Sequence, residues 1–531
     1  MILLVIAALI IACILCNKLS SRIGVPMLLA FILLGMLCGS DGLFRIPFEN
    51  FEFAEQSCSI ALIFIIFYGG FGTKWQEAKQ VAVQSVLLSS VGVILTSLLT
   101  GLFCHYALGF DWLEGMLIGS VLGSTDAASV FSILRSKKLN LKFGTASMLE
   151  LESGSNDPWA YTLTVILLSI MSGKNSGGAI AYTIFAQIVY GVAAGVVIAL
   201  AAGWVFRHFQ FGADGFDMIF AVAVAVLAYA VPAVSGGNGY LSAYIVGIVL
   251  GNQKIPNKKA LVHFFDGVTG LMQMLIFFLL GLLAFPSQMP GIMLPALLIA
   301  LFLTFVARPA VVALLLTPFR AGLQQQAVVA WAGLRGATSI VFAIMVTVSE
   351  AYTKNDVFHI VFCVVLLSIA LQGTLLPWIS RRVHMIDDRE NVLKTFSDYS
   401  EETEIRLIRL AITEEHLWNG KKVRDTALPL NIRIVMLLRG KEKILPKGNT
   451  ELKQGDVLVL SAEGYYGEDA FTLEEMEIGV RHPWCGKMLS ELTMPHDSTV
   501  VMIRRGSRAL IPNGRMKIKA NDVLVMAADK D

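Results

Sequence analysis

Residues Leu151–Ala160 read LESGSNDPWA, placing two carboxylates, two serines, an asparagine and a proline inside an otherwise apolar run. An ionisable side chain at the centre of a span costs about 2.5–3.5 kcal/mol on insertion scales, so such a stretch needs either a partner or a function. The surroundings leave little doubt that the setting is a membrane. Of 531 residues, 55% are hydrophobic and only 15% charged. That is too apolar for an ordinary water-soluble protein and long enough for more than one domain.

Working outward, apolar runs near 2–16, 26–40, 53–71, 84–106, 112–134, 143–171, 180–206, 214–231, 239–251, 262–285, 290–316, 325–349 and 356–379 make about thirteen candidate spans, several shorter than the ~20 residues of a straight crossing. The first run lacks a basic leader and a small-residue cleavage site, so it is read as a retained span. Lys and Arg gather in the loops after odd-numbered spans, for example Arg135, Lys137, Lys138 and Lys142 after the fifth. The positive-inside rule then predicts an external N-terminus and cytoplasmic C-terminal domains in the cell membrane. The cysteines, seven in all, lie mostly in apolar runs; Cys13 and Cys16 have a C-x-x-C spacing, but no second pair or His ligand pattern follows it, which points to packed thiols and to neither zinc nor a disulfide frame.

Two other spans carry polar interruptions. The fifth contains GSTDAAS (Gly123–Ser129) and the twelfth GLRGATS (Gly333–Ser339), each with glycines and hydroxyls beside one charge, Asp126 or Arg335. An odd offset of seven spans sends them through the membrane in opposite directions. That is the signature of an inverted repeat, with an ion site at the midplane built from broken-helix ends. Asp157 lies fourteen residues beyond Phe143, roughly 21 Å at ~1.5 Å per residue, so it too falls near mid-membrane. Ser153 and Asp157 share a helix face that can meet Thr125 and Asp126. Glu152 points elsewhere and is expected to pair with Arg335 as a structural ion pair. That leaves Asp126 and Asp157 without fixed countercharges, and a missing countercharge implies a mobile one. A buried carboxylate that holds either a proton or a metal cation supplies the simplest chemistry of proton-coupled exchange.

Together GSTDAASV, ESGSNDP and GLRGATS resemble the monovalent cation:proton antiporters, in particular the NhaP-type branch that includes the sodium/proton exchangers. The resemblance covers residues 1–380. It implies an NhaA-like all-α bundle that works as a homodimer by an elevator-like motion. It also implies Asn156–Asp157 as the paired polar motif, with Asp157 the proton and cation carrier. Thr125, Asp126 and Ser153 become further ligands of a monovalent cation, and Glu152 with Arg335 the stabilising pair. Asn at 156 is associated in that family with electroneutral exchange. One departure is Tyr68 in IIFYGGFG, where many relatives carry an acid; its phenol is either a neutral ligand or a packing group. Arg308, before Pro309, is expected to satisfy carbonyls of a broken helix. Asp214, Asp217 and Asp266 are expected at interfaces, and Gly236–Asn238 in an external turn.

After a charged linker (381–403) the chain repeats itself. Residues 416–460 and 482–526 align without a gap and share sixteen identities. Each copy reads as a short helix opened at Gly420 or Gly486 followed by short strands, an α+β unit. The pattern resembles the RCK_C (TrkA-C) ligand-binding domain, in copies spanning 404–463 and 470–528. The resemblance implies a regulatory role and a ligand such as a cyclic dinucleotide, for whose phosphates Arg433, Arg439 and Arg505 are candidates. No strand-borne G-x-G-x-x-G accompanies them, so no nucleotide cofactor is expected. Function is therefore expected to be K⁺ or Na⁺ antiport against H⁺, with no nucleic-acid partner. A gated channel is the rival, although the chain has no TVGYG-type filter. Enzymatic hydrolysis is disfavoured because neither Ser153 nor Ser155 lies in a G-x-S-x-G context.

Overall fold

The apolar runs become helices in the computed structural model, which describes residues 10–15, 27–126, 129–130, 133–134, 139–173, 177–209, 215–351 and 353–387, and most of 405–529. Most of the first expected span, Asp214, and the linker beyond residue 387 lie outside these residues. The chain divides into two compact units, Met1–Glu401 and Glu402–Asp531.

In the first unit the helices are α1 (Met27–Cys38), α2 (Phe51–Gly72), α3 (Ala82–Leu108), α4 (Trp112–Val121), α5 (Thr145–Met171), α6 (Gly177–His208), α7 (Phe216–Val234), α8 (Gly239–Gly251), α9 (Lys258–Leu283), α10 (Met289–Phe319), α11 (Leu323–Trp331), α12 (Ala337–Val348) and α13 (Val357–Arg382). Among the described residues seven of these are long and apolar enough to cross a membrane, and α1, α4, α8 and α12 are shorter apolar helices. Helix α5 is as long as a span yet carries Glu150, Glu152 and Asp157. Local sequence sets the ends: Asn50 Oδ1 accepts from Phe53 N at 2.9 Å to start α2, and Gly109, at φ +72°, closes α3 in the left-handed conformation. Without a strong hydrophobic drive between apolar helices, close contact depends on small residues. Helices α2 and α8 meet backbone to backbone at Gly70 and Gly247, where a side chain on either would strike the opposite main chain.

Two helices stop in mid-bundle. Helix α4 ends at Val121 and its chain runs unwound through Leu122–Asp126, while Ala332–Gly336 separates α11 from α12. Two others loosen without stopping. Leu303–Ala307 in α10 and Ser368–Gly373 in α13 are π-helical turns. The first lies just ahead of Pro309, with the Arg308 amide bonded back to Leu303 O.

At the end where α13 leaves the bundle, residues 383–387 form a strap across the loop joining the fifth span to α5. Lys142 N donates to Met385 O at 2.9 Å, Asp387 N to Asn140 O at 3.0 Å, and Lys142 Nζ to His384 O at 3.0 Å. Leu141 and Ile386 form an antiparallel bridge, and His384 takes φ +58° to enter it. Met385 is fully buried beside Leu139, Leu141, Met148 and Leu376, so the strap is part of a packed core.

The second unit holds two four-stranded antiparallel sheets of the same plan. Strands β1 (Ile405–Ala411), β2 (Arg433–Arg439), β3 (Glu442–Ile444) and β4 (Val457–Glu463) have the order β1-β4-β2-β3. Strands β5 (Phe471–Glu477), β6 (Ser498–Arg505), β7 (Arg508–Leu510) and β8 (Asp522–Asp529) have the order β5-β8-β6-β7. Both second strands carry an irregularity at the equivalent place, Ile434/Met436 and Val500/Met502. The short helix expected at each copy's start is instead a turn at Gly420 or Gly486 followed by one 3-10 turn, Val423–Asp425 or Leu489–Glu491. Two residues after each glycine the chain is held extended by an antiparallel bridge, Lys422 to Glu451 and Met488 to Lys517, which keeps an α-helix from starting there.

Candidate functional site

The two unwound segments cross each other. Asp126 N donates to Leu334 O at 2.8 Å, and Arg335 Nη1 donates to Gly123 O at 3.0 Å and Ser124 O at 2.8 Å. Breaking a helix frees carbonyls at one half and amides at the other. Arg335 sits on the freed carbonyls just after α4, and Asp126 accepts from Ser129 N at 3.1 Å and from Ser129 Oγ, capping the downstream half of its span. Each charge complements the partial charge of a half-helix end. The crossing admits no extra atom at Gly336, where a Cβ would collide with the Asp126 carboxylate.

Helix α5 packs its polar face onto this crossing. Ser153 Oγ donates to Thr125 O at 2.7 Å, and Asn156 Nδ2 donates to Thr125 Oγ1 at 2.6 Å. Asp157, only 7% exposed, accepts from Ser124 Oγ on one carboxylate oxygen and from Thr338 Oγ1, at 3.2 Å, on the other. It also lies within electrostatic range of Asp126. Among the described residues no lysine or arginine pairs with Asp157. The structure thus brings Thr125, Asp126, Ser153, Asn156 and Asp157 together from two spans, and adds Ser124 and Thr338. Both additions stand inside the quoted motifs, but a hydroxyl's aim within an unwound segment is not set by helical periodicity. Asp157 is thus bonded by two hydroxyl oxygens, with the Thr125 and Ser153 oxygens on the same polar face, hard donors of the kind an alkali cation takes.

The expected partner of Glu152 needs correcting. Its carboxylate contacts Arg308, Nη2 to Oε1 at 2.5 Å, with both side chains buried (1% and 4% exposed). Arg335 is committed to the carbonyls of Gly123 and Ser124 instead. The two arginines have exchanged the roles expected of them: the π-turn absorbs the defect at Pro309, so Arg308 is released from carbonyl duty. Its guanidinium lies against Gly333, where a Cβ would come within 2.9 Å of Nε.

Other expectations resolve individually. Tyr68 directs its hydroxyl to Asp266 Oδ1 at 3.5 Å and stacks on Phe265, joining α2 to α9. Asn238 lies, as expected, in the turn between α7 and α8 and is fully buried there: it caps α8 through Leu241 N and donates to Pro158 O at 2.8 Å and Thr162 Oγ1 at 3.0 Å, steadying α5 one turn beyond Asp157. In the second unit Arg439 and Arg505 have employment other than phosphate binding. Arg439 clamps Asp456 with Nε–Oδ1 at 2.8 Å and Nη2–Oδ2 at 2.7 Å and reaches Glu451 O; Arg505 does the same to Asp522 and Lys517 O. These bidentate bonds hold the Asp456 and Asp522 carboxyls below their ordinary range. Arg433 is exposed at the start of β2.

Comparison with known proteins agrees with this geometry. Residues 5–382 match the model of the sodium/hydrogen exchanger transmembrane family, and 407–464 and 473–531 each match the TrkA-C domain. The K(+)/H(+) antiporter NhaP of Alkalimonas amylolytica is 34% identical over 463 residues, covering 86% of this chain and 80% of that protein. The K(+)/H(+) antiporter NhaP2 of Shewanella baltica is 31% identical over 451 residues, covering 84% and 78%. Among solved structures, the sodium proton antiporter MjNhaP1 of Methanocaldococcus jannaschii superposes with a TM-score of 0.62 at 23% identity, over 72% of this chain and 99% of that one. The chain is a multi-pass membrane protein and belongs to the sodium/hydrogen exchanger family, with two TrkA-C domains at its C-terminal end.

Proposed function

We propose that this protein is a secondary antiporter exchanging K⁺ (or Na⁺) for H⁺, one for one, across the bacterial cytoplasmic membrane. The observation that carries the reading is Asp157: buried, bonded by neutral hydroxyls, and without a fixed cationic partner among the described residues. A proton and a desolvated alkali cation are alternative ways to neutralise it, and exclusive occupancy couples their movements. Asp126, Thr125 and Ser153 contribute further oxygens. Asn156 orients the site without adding a titratable group, which favours electroneutral exchange. K⁺ stands first because relatives similar over most of the chain are named K(+)/H(+) antiporters.

In this reading the N-terminus is external and the two TrkA-C modules (404–463 and 470–528) are cytoplasmic. The protein works as a homodimer with alternating access, and the modules regulate it through a ligand of cyclic-dinucleotide type. The test is proton movement in everted vesicles on addition of K⁺ or Na⁺. Wild type should respond and Asp157→Asn should not. Cation conduction down a voltage gradient without proton movement would replace the exchanger with a channel.

A further inference from the structure

A second carboxylate in the bundle has no fixed countercharge. Glu55, half-buried in the second turn of α2, accepts from Ser59 Oγ at 3.0 Å, and no cationic side chain pairs with it among the described residues. Three tyrosines from three other helices stand around it. Tyr240 of α8, 2% exposed, packs its ring edge-on against Tyr161 of α5 at 5.1 Å and tilted against Tyr229 of α7 at 4.9 Å, within electrostatic reach of Ser59 and Glu55. Phe342 of α12 closes the group, 5.8 Å from Tyr161 and 6.3 Å from Tyr240.

The position of this cluster gives it meaning. Tyr161 follows Asp157 by four residues on α5, so the two share a helix face one turn apart. Helix α5 starts beside the strap at the exit end of the bundle, so Tyr161 is displaced from Asp157 towards the far end. Glu55 belongs to that far end as well: Phe51, one turn before it, packs on Phe358 near the start of α13, the opposite end of that helix from the strap. A carboxylate, a serine hydroxyl and phenol oxygens make a hard-oxygen set, and the ring faces add attraction for a partly dehydrated cation. A negative group in a low-dielectric wall also raises the local cation concentration.

We infer that Glu55, Ser59 and Tyr240 form a way-station for the alkali cation at the far end of the bundle, handing it past Tyr161 to Asp157. The inference rests on the exchanger reading for its direction of use, but not for the existence of the site. Two measurements on the full-length protein separate the two. In oriented vesicles, Glu55→Gln should raise the half-saturating K⁺ concentration about three- to tenfold when K⁺ is offered at the far face, with a smaller change at the exit face, and Glu55→Asp should recover much of the loss. Equal shifts at both faces, or none, would overturn it. In the Asp157→Asn protein, thallous-ion NMR line broadening should persist at a weak site and vanish when Glu55→Gln or Tyr240→Phe is added. Absence of any residual binding in Asp157→Asn would also overturn the way-station. Failure of wild type to exchange protons would sink the antiport reading and leave the binding result standing.

Discussion

Exchange of roles between the two buried arginines leads to a quantitative prediction. If Glu152 is neutralised by Arg308, removing either partner leaves the other as an uncompensated charge inside the bundle, a loss of about 3–5 kcal/mol. Removing both, in Glu152→Gln/Arg308→Met, replaces the pair by a neutral one and should return about 2–3 kcal/mol of that loss as coupling energy. Arg335 should behave differently. Its Nη1 bonds go to two main-chain oxygens, so Arg335→Met costs about 1.5–3 kcal/mol per charged hydrogen bond, with a weaker dependence on Glu152, which acts on it only at longer range. The measurement is a pair of double-mutant cycles on detergent-solubilised protein, Glu152 with Arg308 and Glu152 with Arg335, read as apparent unfolding midpoints and retained ion exchange. Each single change in the first cycle should lower the midpoint by on the order of 5 °C, with clear recovery in the double variant. Strict additivity in the Glu152/Arg308 cycle, or equal coupling in the two cycles, would refute the assignment.

Gly336→Ala should assemble in the membrane yet lose at least about tenfold of its exchange rate, because the added methyl occupies space held by the Asp126 carboxylate; normal turnover would mean the crossing is looser than drawn. Thr338→Val and Ser124→Ala each strip one hydrogen bond from Asp157. Both should weaken apparent cation affinity more than they lower the maximal rate, and initial rates against K⁺ concentration will show whether they do. In the isolated change Arg439→Met, the first TrkA-C domain should lose about 1.5–3 kcal/mol, visible as faster limited proteolysis. The same clamp predicts an acid limit. Asp456 and Asp522 have folded pKa values below their unfolded ones, so their stabilising contribution is complete above about pH 4 and disappears as pH falls through the lowered folded values. Wild-type tail unfolding should therefore steepen below that pH, and Arg439→Met/Arg505→Met should flatten it.

Much of this could be read from the amino-acid sequence because membranes make polarity conspicuous. Asp126, Asp157 and Arg335 each stood out against apolar neighbours, and their opposite span directions pointed to two broken helices. The tail duplication was equally plain, since one ungapped offset aligns both copies. What the sequence hid was choice among near-equivalent partners. Helical geometry shows that Glu152 leaves the Asp157 face, but it does not say which of two arginines waits there; that depends on a π-turn before Pro309 that has no clear compositional mark. The burial of Asn238 was hidden for a related reason. A Gly-Gly-Asn run signals a turn, and burial of that turn comes from the packing of α5 and α8, which no local pattern reports. The clamps by Arg439 and Arg505 did have a signal: both arginines precede an aspartate by seventeen residues at equivalent places in the repeat.

The strap at residues 383–387 has a mechanical consequence. The loop it grips, 139–142, joins the span carrying Asp126 to the helix carrying Asp157, and everything C-terminal to residue 387 is tethered through it. A pull on the chain at residue 387 would thus be delivered first to the joint between the segments that carry Asp126 and Asp157. A pull there acts on their separation. Three hydrogen bonds, two between main chains and one from a side chain, make that joint stiff enough to transmit a small displacement and short enough to be severed by a single glycine insertion.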